Sequence, residues 1–153
     1  MTSDAGGSRI IAIGSDHAGF GLKETIREHL EQRGFNILDL TTDGTSSVDY
    51  PDFAVKVCRA VLSGRVQRGI LLCGTGIGMS IVANRYANVR AALCNDLFAA
   101  KLSRQHNDAN MLSMGARIVG EQVAIGCVEA FLSAEFEGGR HVPRVEKIKA
   151  LEG

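Results

Sequence analysis

The sequence predicts a single three-layer α/β/α domain, a doubly wound sheet of five parallel strands with helices on both faces. Three observations predict it. Five short apolar runs alternate with stretches of helical periodicity, and strands joined by helices run parallel and are buried on both faces. Glycine is abundant, 18 residues against 2 prolines, and many glycines sit where an apolar run ends, as strand-to-helix turns require. The length, 153 residues, fits one domain with its own core, since domains run to roughly 100–200 residues.

Taken in order, residues 1–8 (MTSDAGGS) read as a flexible tail, and 9–153 as the domain. Arg9–Gly14 is a buried strand ending in glycine. A helix follows over Lys23–Arg33, with Leu22, Ile26 and Leu30 four apart on one face and Gly34 closing it. Phe35–Leu40 alternates as a second strand, and Thr41–Asp49 is a polar loop. Pro51 suits the first position of a helix whose inner face carries Ala54, Val57, Cys58 and Val61, with Gly64 at its end. Gly69–Cys73 is the most apolar strand, followed by the turn Gly74–Gly78 and a helix over Met79–Tyr86. Val89–Cys94 is the fourth strand, Asp96–Gln105 a helix, and Ala109–Ser113 the fifth strand. Glu121–Ala134 is a helix with Ala124, Cys127, Val128 and Phe131 inward, and Val142–Leu151 is a last helix after Gly138–Gly139. Such Rossmann-like sheets bind ligands at the carboxyl ends of their strands, where the strand order switches. The expected suspects there are Asp16–His17, Cys73–Gly78, Asn95–Asp96 and Asn107–Asp108.

Charge and cysteine usage narrow the function. Lys+Arg and Asp+Glu are 17 each, so the formal net charge is zero, which argues against a general nucleic-acid binder but leaves room for a local anion site. Cys58, Cys73, Cys94 and Cys127 show no CxxC spacing, so neither a zinc site nor a redox pair is signalled. The polar start carries no signal-peptide pattern, and no apolar run approaches the ~20 residues of a membrane helix. A cytoplasmic protein with reduced thiols and no membrane contact is expected.

Cys73-Gly-Thr-Gly-Ile-Gly78 is the segment richest in chemistry. Three alternate glycines before a helix let backbone N–H groups converge on an anion. The spacing is GxGxG after the third strand rather than GxGxxG after the first, so a nucleotide- or flavin-binding module, with Asp96 as the ribose acid, is the weaker reading. Cys58 and Cys127 read as packing, whereas Cys73, at a strand end before a helix, reads either as packing or as a nucleophile or base. A lone Cys73 without a resolving partner makes a thiol redox protein improbable. Asp16–His17 is either an Asx-capped turn or a proton-handling pair. His106–Asn107 either caps a helix or supplies a general acid near neutral pH. Arg140, His141 and Arg144 are either solvated surface or a phosphate clamp, to which Arg117 adds.

Six blocks then occur in order: IGSDHAGF (Ile13–Phe20), DYPD (Asp49–Asp52), CGTGIGMS (Cys73–Ser80), ANR (Ala83–Arg85), SRQHND (Ser103–Asp108) and EGGRH (Glu137–His141). Together they resemble the type B ribose-5-phosphate isomerases, a family that includes relatives acting on allose and galactose 6-phosphates. The likeness runs from about Arg9 to Leu151. It implies an aldose–ketose isomerase of ribose 5-phosphate in the pentose phosphate pathway, with no metal and no organic cofactor. It also implies a homodimer or dimer of dimers whose sites draw on two subunits. By the resemblance, Cys73 is the base between C1 and C2, assisted by Thr75, and Asp16 and His106 open the furanose. Gly74, Gly76 and Gly78, with Asn107, hold the enediolate oxygens. His17, Arg117, Arg140 and Arg144 hold the phosphate, and Tyr50 lines the sugar pocket. Some members instead place a glutamate base where this chain has Met79, which cannot take a proton.

Overall fold

The computed structural model describes residues 9–41, 44 and 46–151, so the tail expected over residues 1–8 lies outside the described residues. Five strands, β1 (Ile10–Ser15), β2 (Asn36–Asp39), β3 (Arg68–Cys73), β4 (Ala91–Leu93) and β5 (Met111–Gly115), form one parallel sheet in the order β2-β1-β3-β5-β4. The helices are α1 (Phe20–Gln32), α2 (Tyr50–Leu62), α3 (Ile77–Ala83), α4 (Leu97–Asn107), α5 (Glu121–Ser133) and α6 (Val142–Lys149), the last entered through a 3-10 turn over Gly139–His141.

The strand order decides where each helix lies. The steps β1→β2 and β4→β5 run one way along the sheet, and β2→β3 and β3→β4 the other. Right-handed crossovers therefore put α1 and α4 on one face and α2 and α3 on the opposite face. The core divides in the same way. One cluster joins Ile26 and Leu30 of α1, Ala100 of α4 and Ala124, Cys127, Val128 and Phe131 of α5. The other joins Ala54, Val57 and Cys58 of α2 to Met79 and Ala83 of α3. Ile70, Leu71 and Leu72 of β3 are wholly buried between the two layers. A core side chain as large as Phe131 contributes about 3–5 kcal/mol by truncation to alanine.

Several element ends differ from expectation. α1 starts at Phe20, three residues before Lys23, because the Asp16–Gly19 turn leads straight into it: Gly19 N–H donates to the Asp16 side chain and Lys23 N–H to Gly19 C=O. α3 starts at Ile77 and is two residues earlier than predicted. β5 runs to Gly115, since a strand buried on both faces shows no alternation to mark its ends. Asp96 is the side-chain cap of α4, accepting from Ala99 N–H at 2.8 Å, which is a helix-start role rather than a ribose contact.

β1 and β3 are neighbours whose following helices leave toward opposite faces, and the crevice between their carboxyl ends is the switch point where ligands bind in such sheets. Asp16 N–H bonds to Leu72 C=O across this crevice, so the Asp16 turn and Cys73 are held side by side.

Candidate active site

Cys73 closes β3 and is 5% exposed. Its Sγ accepts the N–H of Gly76 at 3.2 Å. The bond needs the chain to double back at Gly76, which has φ +82°, and a Cβ there would lie 2.7 Å from Leu93 and 2.8 Å from the Met114 backbone. The turn is fastened to the end of β5. Ser113 Oγ donates to Gly76 C=O at 2.7 Å, Ala116 N–H to Cys73 C=O at 2.8 Å and Arg117 N–H to Gly74 C=O at 2.9 Å. Asn95 Oδ1 accepts from Gly115 N–H at 3.1 Å and braces the same corner. Thr75, exposed, turns its hydroxyl back to accept from Ile77 N–H at 3.2 Å.

Tyr50 and Arg117 lie against this turn, and Asp16 and His17 belong to the neighbouring turn after β1. Asp16, 6% exposed, has one carboxylate oxygen on Gly19 N–H, so its Asx-turn role and its place beside the crevice hold together. His17 Nδ1 accepts from Val48 N–H at 3.1 Å, so the neutral ring carries its proton on Nε2. Tyr50 lies against Gly78 so closely that a Cβ at Gly78 would sit 2.5 Å from the phenol ring; only glycine admits the tyrosine. The Arg117 guanidinium lies 3.3 Å from where a Gly74 Cβ would be.

The remaining expected residues lie elsewhere. Asn107–Asp108 do not follow a strand, as the switch-point argument expected; they precede β5. Met111 pairs with Gly69 and Gly115 with Cys73, so the end of α4 sits at the amino edge of the sheet. The two edges are separated by about 13 Å along the strands at ~3.3 Å per residue. His106, Asn107, Arg140 and Arg144 gather at that far edge. The segment after α5 is tied there by Glu137 N–H to Gln105 C=O at 3.0 Å, and His106 stacks on His141 with ring centroids 4.3 Å apart. Arg140 is in the 3-10 turn and Arg144 one turn on in α6, both exposed, rather than on one continuous helix face. Among the described residues, Arg117, Arg140 and Arg144 have no carboxylate partner, whereas Arg27, Arg33, Arg90 and Arg104 do.

Cys58, Cys94 and Cys127 are buried and free, and burial pushes each thiol up to about 11. They are packing. Residue-by-residue reading missed Ser113 and Val48, whose contacts are long-range; Ser113 is the one polar side chain in β5, a signal available in the run MLSMG.

The family model for ribose/galactose isomerases matches residues 11–148. The chain belongs to the ribose/galactose isomerase family. Among the family's curated proteins, the ribose-5-phosphate isomerase B of Escherichia coli K12 is 50% identical over 93% of this chain and 95% of its own. The D-erythrulose-4-phosphate isomerase of Pectobacterium atrosepticum is 48% identical over 93% of this chain and 94% of its own. The solved ribose-5-phosphate isomerase B of Clostridium thermocellum superposes with a TM-score of 0.90 at 51% identity, covering 92% of this chain and 95% of that one. This family member is thus a sugar-phosphate isomerase on a three-layer α/β/α fold. Among the described residues no helix is long and apolar enough to cross a membrane.

Proposed function

We propose that the protein interconverts D-ribose 5-phosphate and D-ribulose 5-phosphate through a cis-enediolate, at sites each built from two copies of the chain. The observation that carries this reading is the Cys73 sulfur at the switch point with the Gly76 N–H aimed at it. Moving a proton between carbons next to a carbonyl needs a base and stabilisation of the oxygen charge. Met79, the position of the alternative base, is fully buried and carries no proton-accepting group, which leaves the role to Cys73. The Cys73 thiolate takes the proton from C2 of the open-chain aldose and returns it to C1, with the Thr75 hydroxyl beside it. Gly74 and Gly78 N–H groups and Asn107 hold the enediolate oxygens; losing one such donor costs about 3–4 kcal/mol of transition-state stabilisation. The Gly76 N–H serves the sulfur first.

The furanose is opened by Asp16 on one side and His106 on the other. The phosphate is held by His17 Nε2–H and Arg117 with Arg140 and Arg144, a set suited to a dianion far from the reacting carbons. Since these groups divide between the two edges of one sheet, each site takes Asp16, His17, Tyr50, Cys73–Gly78 and Arg117 from one copy. It takes His106, Asn107, Arg140 and Arg144 from the other. A two-fold dimer, alone or paired into a dimer of dimers, forms two such sites. Ile77, Ile81, Leu93, Phe98 and Ile118, all exposed on the elements around the turn, supply an apolar face for that contact. No metal or organic cofactor takes part. Four free cysteines suit a reducing, cytoplasmic setting.

Cys73→Ala tests the base. The variant keeps the wild-type circular dichroism and melting profile and loses isomerisation and solvent-proton exchange by about 10²–10⁴-fold; exchange at the wild-type rate removes Cys73 from the mechanism. A second reading, a phosphosugar of another length, is favoured by the tetrulose-phosphate relative, which is 48% identical against 50% for the pentose-phosphate one. Comparing kcat/KM for ribose 5-phosphate, erythrulose 4-phosphate and the allose and galactose 6-phosphates decides between them, and we expect ribose 5-phosphate to lead.

A further inference from the structure

At the amino edge of the sheet one carboxylate faces two histidines. Glu137 Oε1 lies 3.8 Å from His106 Nε2 and 3.6 Å from His141 Nε2. The two rings stack at 4.3 Å with their planes 14° apart, and Phe136 tilts against His141 at 6.5 Å. His141 is 7% exposed, while His106 and Glu137 remain open to solvent. Three ligand-type atoms this close suggest a metal site. The stack argues against one. The lone pairs of imidazole nitrogens lie in the ring planes, and two nearly parallel planes give no common point at bonding distance for one ion.

We infer that Glu137 is a positioning residue for ring opening, acting through the stacked His106–His141 pair that its carboxylate faces. This rests on the ring-opening role proposed for His106. Two stacked imidazoles resist double protonation, because like charges at 4.3 Å repel. Burial, then His106 and Arg140, press the His141 ring toward its neutral form, with Arg144 adding to them and Glu137 opposing. His106 is the more exposed ring of the pair and so the one open to a substrate, and the Glu137 carboxylate faces both rings. The Glu137 N–H bond to Gln105 C=O fixes the carboxylate to the end of α4 that carries His106. Those residues, with Arg140 and Arg144, are the charged groups that face the pair from α4, the segment after α5, the 3-10 turn and α6.

Glu137→Gln separates this role from a structural one, because ribulose 5-phosphate cannot close a furanose (its C5 oxygen is esterified) and so needs no ring opening. The variant is expected to isomerise ribose 5-phosphate about tenfold or more slowly. Deuterium exchange from solvent into C1 of ribulose 5-phosphate, which needs only the Cys73 half-reaction, should fall by less than about threefold. Removing the anion also disfavours positive charge on the pair, so the pH–rate limb of the pair moves to lower pH. Glu137→Asp should recover part of the lost rate. Equal losses in isomerisation and exchange, or no loss at all, overturn the inference. A wild-type enzyme without C1 exchange overturns the base assignment instead and is thereby distinguished.

Discussion

Cys73 packs at the edge of the α2–α3 core layer and differs from the other three cysteines in closing β3, where its sulfur accepts the Gly76 N–H. Cys58, Cys94 and Cys127 face the two core layers, and burial keeps them as thiols to about pH 11. At pH 8 only about one in a thousand of such thiols is ionised, and only a thiolate alkylates rapidly. On the base role proposed for Cys73, iodoacetamide treatment of the native protein at pH 8, followed by peptide mass spectrometry, should label Cys73 and spare the other three. Labelling of the core cysteines before Cys73 would contradict the division of roles. At this scale the sequence carried much of the site: strand end, alternate glycines and lone cysteine are visible in the run Cys73–Gly78. What it hid were contacts across the fold, such as Ser113 Oγ on Gly76 C=O and Val48 N–H on His17 Nδ1, because neither bond joins residues that are neighbours in the chain.

The elements were legible where apolar spacing was regular. Leu22, Ile26 and Leu30 announce α1, but the two residues before Leu22, Phe20 and Gly21, add nothing to that spacing, so the start of the helix at Phe20 is not marked by it. That helix also holds an ionic knot that local pattern does not reveal. Lys23, 2% exposed, meets Glu24 and reaches Asp39 of β2 at 2.8 Å, and Arg27 bonds Glu24 at 2.7 Å. The Arg27 hydrogen bond, then that of Lys23, lowers the Glu24 carboxyl from 4.5 to about 2. A depressed carboxyl stabilises the fold above its unfolded value and loses that contribution as pH falls from about 4.5 through about 2. The melting temperature of Glu24→Gln should therefore lie below wild type at pH 6, and the gap should close on acidification to pH 2. Since the Glu24 side chain is 36% exposed, the gap at pH 6 is small. A gap constant across that range would contradict the assignment.

For the whole molecule, the strand order does what no local motif can. Parallel strands put every helix end that precedes a strand at the amino edge, so His106 and Asn107 stand at the opposite edge from Cys73, with which the proposed mechanism groups them. The sequence expectation that Asn107–Asp108 lie at the carboxyl edge failed because it treated residues before β5 as residues after a strand. The sharing between copies that we propose brings the two edges together, and hybrid dimers test it most directly. Cys73→Ala and His106→Asn variants, each inactive alone, are to be refolded together from an equimolar mixture. Half of the dimers are then hybrids, and each hybrid holds one site with both native residues, so about a quarter of wild-type isomerase activity returns. If the mixture stays as inactive as its components while forming hybrids, Cys73 and His106 do not meet across two chains, and the proposed site is wrong.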